Sequence, residues 1–122
     1  MSTLAFVPAA AAPAAPLTTN PQQVITVKIT ITDTAIHMVP RSAPRGDVAR
    51  FILTNTGKKP HAFSLGHLHH QTGYQTGFVA SLKASEQSIK ILFLDYRGLL
   101  PYLGTLPADR AKPAMKGTFK IF

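Results

Sequence analysis

The chain has 122 residues and a mass of 13.1 kDa, enough for one ordinary domain and too short for two. It has no cysteine, which excludes disulfides, zinc–thiolate sites, iron–sulfur clusters and thiol nucleophiles. Thirteen Lys and Arg against five Asp and Glu give a net charge of +8, and a 45% hydrophobic share is that of a folded domain rather than a disordered chain.

Residues 1–23 differ in composition from the rest. They hold Pro8, Pro13, Pro16 and Pro21 among seven alanines, and the first basic residue is Lys28. Prolines this dense interrupt helices and strands, so the expectation is an extended leader or tether. Leu4 to Ala12 resembles the apolar part of a secretory signal, without its basic start. Two readings stand: an exported protein, periplasmic or extracellular, or a plain tether on a cytoplasmic domain. No run reaches the 18 apolar residues that would read as a membrane-spanning helix.

From residue 24 to 122 the hydrophobic period is two. In Val24–Thr32, Ile25, Val27, Ile29 and Ile31 alternate with Thr26, Lys28, Thr30 and Thr32, the pattern of a half-buried strand. Ala35–Val39 predicts a short second strand, with His37 on its solvent side. Val48–Asn55 follows the Pro44-Arg45-Gly46-Asp47 turn. His61–Leu65 places His61, Phe63 and Leu65 on one face. Gly66–Ala84 fits a short strand, a helical turn or a loop. Ser88–Leu94 presents Ile89, Ile91 and Phe93 as its apolar face, and Met115–Phe122 turns Phe119 and Ile121 inward. Seven or eight short strands between Gly, Pro and Asn turns predict an all-β Greek-key sandwich or barrel.

Three segments carry a family resemblance. Asn55-Thr56-Gly57-Lys58-Lys59-Pro60-His61-Ala62-Phe63 resembles the N-x-G-(x)3-H-x-F segment of the cupredoxin superfamily (plastocyanin-, azurin- and pseudoazurin-like proteins). Arg97 to Asp109 runs collinear with that family's P-G-T-Y-x-Y-x-C-x-x-P-G-H segment. Ala114-Met115-Lys116-Gly117-Thr118-Phe119 then resembles its G-M-K-G-x-F ending. The resemblance spans about residues 24–122 and implies a cupredoxin-like sandwich. It also implies a degenerate type 1 copper site. His61 matches the first imidazole and Met115 the axial thioether. Gly104 stands at the cysteine, Asp109 at the second histidine, and the spacing from Asp109 to Met115 is one residue longer. Blue copper needs two imidazoles and a thiolate, so type 1 copper is not expected.

Two metal-site candidates follow. His61, Asp109 and Met115 could hold copper in a non-blue site of nitrogen and oxygen ligands. Otherwise His61 caps a strand end, Met115 fills the core and Asp109 lies in a solvated turn. Separately, Gly66-His67-Leu68-His69-His70 places His67 and His69 on one side if extended, a spacing that chelates Cu(II), Ni(II) or Zn(II); alternatively it is a polar loop. A strand rise of about 3.3 Å per residue puts these imidazoles roughly 17 to 20 Å from His61.

No carboxylate pair and no Ser-His-Asp spacing is present, so no enzyme is expected. The positive charge favours an acidic protein partner or an anionic surface. Inward Phe and Tyr positions argue against nucleic acid. Two functions remain: a metal-handling protein, and a metal-free interaction or structural module.

Overall fold

The computed structural model describes residues 23–69 and 74–122. His70 and nearly all of the 1–23 segment thus lie outside the described residues. Among the described residues, nine strands form two sheets: β1 (Val24–Ile31), β2 (Ile36–Val39), β3 (Ser42–Ala43), β4 (Val48–Asn55), β5 (His61–His69), β6 (Tyr74–Leu82), β7 (Gln87–Phe93), β8 (Gly98–Gly104) and β9 (Lys116–Ile121). One sheet has the order β2-β1-β4-β7 and the other β3-β9-β8-β5-β6. A short helix α1 (Pro107–Arg110) and a 3-10 turn (Pro113–Met115) join β8 to β9. No helix among the described residues is long and apolar enough to cross a membrane.

The alternation in β1, β5 and β9 has its expected outcome: Val27, Ile29, Ile31, Phe63, Leu65, Phe119 and Ile121 are buried between the sheets. β4 adds Phe51 and Leu53 to this core. Phe51 packs its ring against Phe78 at 5.2 Å and Phe119 at 5.5 Å, in the tilted and edge-on geometries aromatic pairs favour. His37 is exposed on β2, as expected.

The structure resolves one open segment and departs from expectation at one place. Of the three readings for Gly66–Ala84, strand is the one seen, over Gly66–His69 and Tyr74–Leu82. β5 continues through Gly66 to His69 and pairs antiparallel with β6, from His61 opposite Leu82 to His69 opposite Tyr74. Gly66 faces Gly77 within that ribbon, so both strands lose their side-chain signal at one level.

The departure is β7, whose Ile89, Ile91 and Phe93 face outward. Cross-strand partners share a face, and the register pairs Phe51 with Lys90 and Leu53 with Ser88. The even-numbered residues of β7 therefore lie on the core side. A one-residue slip would reverse every side chain, so the turn that feeds β7 decides the outcome. That turn is pinned: the Lys83 N–H donates to Glu86 Oε1 at 2.7 Å, and the Asn55 N–H donates to the Glu86 carbonyl at 2.9 Å.

Phe51→Ala is expected to cost about 3–5 kcal/mol, from lost burial and the cavity left behind. Ile91→Thr is expected to change stability by less than about 0.5 kcal/mol, because it lies on the exposed face. Urea unfolding of both variants checks the pair; equal losses would contradict the β7 register.

Candidate functional site

His61 opens β5 at one end of the sandwich, where the β1–β2 turn, the β4–β5 turn and the β8–β9 connection meet. Asn55 organises this end. Its buried Nδ2 donates to the carbonyls of Lys59, Leu82 and Lys83 at 2.9, 3.2 and 3.2 Å, and its Oδ1 accepts the Gly57 N–H at 2.9 Å. One amide thus ties the turn before His61 to the turn before β7.

The β1–β2 turn brings in Asp33, a residue the sequence pattern did not single out. The Lys58 and Lys59 N–H groups donate to its Oδ2 and Oδ1 at 3.0 and 3.2 Å. Gly57 permits this approach, since a Cβ there would collide with the Asp33 carboxylate. From below, α1 presents Asp109, which is 3% exposed and not in a solvated turn as the alternative expectation had it.

Between these two carboxylates lies the imidazole of His61. Nδ1 is 2.6 Å from Asp109 Oδ2, and Nε2 is 2.9 Å from Asp33 Oδ1. A carboxylate can only accept, so both ring nitrogens must donate, and only the doubly protonated imidazolium has two N–H groups. Lys112 completes the set: its Nζ donates to the Asp33 carbonyl at 2.7 Å and lies 3.4 Å from Asp109 Oδ1. Two cations thus balance two carboxylates at an end where a lone buried charge would be costly.

Protonation follows the same geometry. Burial works against a charged His61, yet the hydrogen bonds to Asp33 and Asp109 outweigh it and raise its pKa above the usual 6.5. Asp33 is held down, to about 2, chiefly by the Lys58 N–H and next by His61.

The four positions matched to copper ligands do converge. A Cβ built on Gly104 would come 3.0 Å from Asp109 Cβ and 3.4 Å from Met115 Cε, and Met115 is buried in the core. These residues nevertheless do not fit blue copper. Gly104 supplies no thiolate. The nitrogens of His61 diverge to opposite carboxylates, so Asp33 and Asp109 cannot meet at one ion with either of them. Among the described residues, no group of three or more His, Asp, Glu or Cys side chains is arranged to hold a metal. His67 and His69 lie along β5 towards the other end of the sandwich, with no reversal at Gly66, so they do not join His61.

Stability should carry both titrations. A raised His61 pKa contributes stability that is present below pH 6.5 and lost as pH rises through its folded value. A lowered Asp33 pKa contributes stability that is present above 3.8 and lost as pH falls towards 2. The thermal midpoint is therefore expected to be highest between about pH 4 and 6.5. His61→Gln should flatten the alkaline limb, while Asp109→Ala, which leaves a buried imidazolium with one partner, should cost about 3–5 kcal/mol. Thermal melts from pH 2 to 9 check both; an alkaline limb that persists in His61→Gln would contradict the assignment.

No protein-family model matches the sequence, nor does any curated protein. Solved structures do match. Dithionite-reduced auracyanin from the photosynthetic bacterium Roseiflexus castenholzii is 15% identical with a TM-score of 0.61, over 80% of this chain and 96% of that one. Auracyanin A, a "blue" copper protein from Chloroflexus aurantiacus, is 12% identical with a TM-score of 0.56, over 81% and 99%. Rusticyanin is 13% identical with a TM-score of 0.59, over 84% and 82%. At such identities the likeness is one of architecture, and it agrees with the strand order and the convergence of His61, Gly104, Asp109 and Met115: the chain has a cupredoxin fold.

Proposed function

We propose that this chain is a non-catalytic binding module of cupredoxin fold that works without type 1 copper, its ligand end closed by an internal charge cluster. The observation that supports this reading best is the double engagement of His61. A metal at Nδ1 has to displace Asp109 from a 2.6 Å charge-assisted hydrogen bond, remove a proton and leave Lys112 facing the ion. Proton and ammonium supply the positive charge that a metal would supply elsewhere. Export belongs to the same proposal and rests on the apolar Leu4–Ala12 stretch.

Metal handling remains the competing function, and one experiment separates the two. The full chain, free of tags, is titrated with Cu(II) and with Cu(I) by calorimetry, with its thermal midpoint followed in parallel. Expected is no saturation near one equivalent and no rise in the midpoint, since tight binding to the native state must raise it. One-equivalent binding abolished by His61→Ala would overturn the proposal at this end. Binding abolished by replacing His67, His69 and His70 would overturn it through the other candidate site.

A further inference from the structure

The outward turn of β7 gives the sheet β2-β1-β4-β7 an unusual outer face. Ile89, Ile91 and Phe93 are 54, 55 and 62% exposed, and Val24 and Val39 on β1 and β2 are 65 and 68% exposed. The register assembles them into rows across the sheet. Val24 pairs with Val48, which pairs with Phe93; Val39 pairs with Lys28, which pairs with Ile52 and then Ile89. Between these rows, Thr26 pairs with Arg50 and Arg50 with Ile91. The result is an apolar field with two exposed cations, Lys28 and Arg50, on its two central strands. None of the four strands contains an Asp or Glu, so these cations have no carboxylate partner on their own face.

We propose that this face docks an acidic protein surface, one that sets carboxylates opposite Lys28 and Arg50 inside a ring of apolar contact. The inference rests on the reading of the chain as a binding module and names the chemistry of its partner. Contiguous exposed apolar area of this kind marks an interaction site, and uncompensated central charges select the sign of what covers it.

Other occupants fit less well. A second copy related by a two-fold axis would bring Lys28 and Arg50 against their own counterparts, like charge on like charge. Anionic bilayers are held by clusters of roughly 4–8 basic residues, and nucleic acid by several phosphate contacts; two isolated cations match neither. Strand addition at the β7 edge is opposed by Lys90, which lies on the core side opposite Phe51 and is the kind of inward charge that blocks edge pairing. The partner therefore meets the face, not the edge. At roughly 20 by 23 Å, from strand spacing and rise, the face is smaller than the roughly 800 Å² per partner of a standard interface. It suits a transient complex.

The test uses the full ¹⁵N-labelled chain and two synthetic twelve-residue peptides, one alternating Glu and Leu and the other Lys and Leu. The Glu peptide is expected to shift amides of β1, β4 and β7, and the Lys peptide to leave them unmoved. The variant Lys28→Glu/Arg50→Glu should reverse this preference, weakening the Glu peptide by about tenfold or more. That exchange is a result that simple loss of structure cannot imitate. If the variant does not fold, the two peptides on the native chain decide the matter. Equal response to both peptides, or shifts confined to other surfaces, would overturn the proposal. So would preferential engagement of this face by phosphatidylglycerol vesicles, or by a second copy in sedimentation. The copper titration bears on the charge cluster alone, so the two proposals fail separately.

Discussion

An imidazole flanked by a carboxylate at each nitrogen is the constraint on which this end of the molecule depends. It fixes the charge state of His61, because neither carboxylate can donate. It fixes the arrangement of three chain segments, because Asp33, His61 and Asp109 come from the β1–β2 turn, the start of β5 and the β8–β9 connection. Ion pairs of this kind add little net stability compared with a well-packed apolar end. Their contribution here is geometric: removing any member leaves a charge in a place that water reaches poorly.

The same interaction accounts for the chemistry that the site lacks. In a blue-copper site, a thiolate and two imidazoles converge on one cation. Here the backbone still brings His61, Gly104, Asp109 and Met115 together, but the pieces compensate one another. Gly104 leaves room into which Asp109 and Met115 close. Asp109 takes the His61 nitrogen, and Lys112 takes the remaining side of Asp109. A fold whose loops ordinarily converge on a metal thus keeps the convergence and fills it with a proton and an ammonium group. On the proposed reading, binding falls to the surfaces of the scaffold, among them the apolar outer side of β2-β1-β4-β7.

Much of this was legible in the residues themselves. The alternation of β1, β5 and β9 named much of the core, and the absence of cysteine with Gly104 in its place excludes blue copper from the sequence alone. Three features were not legible, each for a physical reason. Asp33 lies 28 positions from His61 in a Thr-Asp-Thr turn of ordinary appearance; its signals were faint, as the only acid before Asp47 and as a partner for the close approach that Gly57 allows. Asp109 was named, but its burial depends on α1 folding over His61, a tertiary event without a periodic signature. β7 was given the wrong face because alternation reports two faces without saying which is the core, and its register is set by hydrogen bonds from Asn55 and Glu86 across the chain.

The most direct measurement is the nitrogen NMR spectrum of the His61 ring at pH 6.5, where an unperturbed imidazole is half protonated. With selectively ¹⁵N-labelled histidine and His61→Gln for assignment, Nδ1 and Nε2 should both carry the shifts of protonated imidazolium nitrogens, each coupled to its own slowly exchanging proton. A ring in one neutral tautomer, or one averaging between charged and neutral forms as a free side chain does at that pH, would contradict the bridged imidazolium.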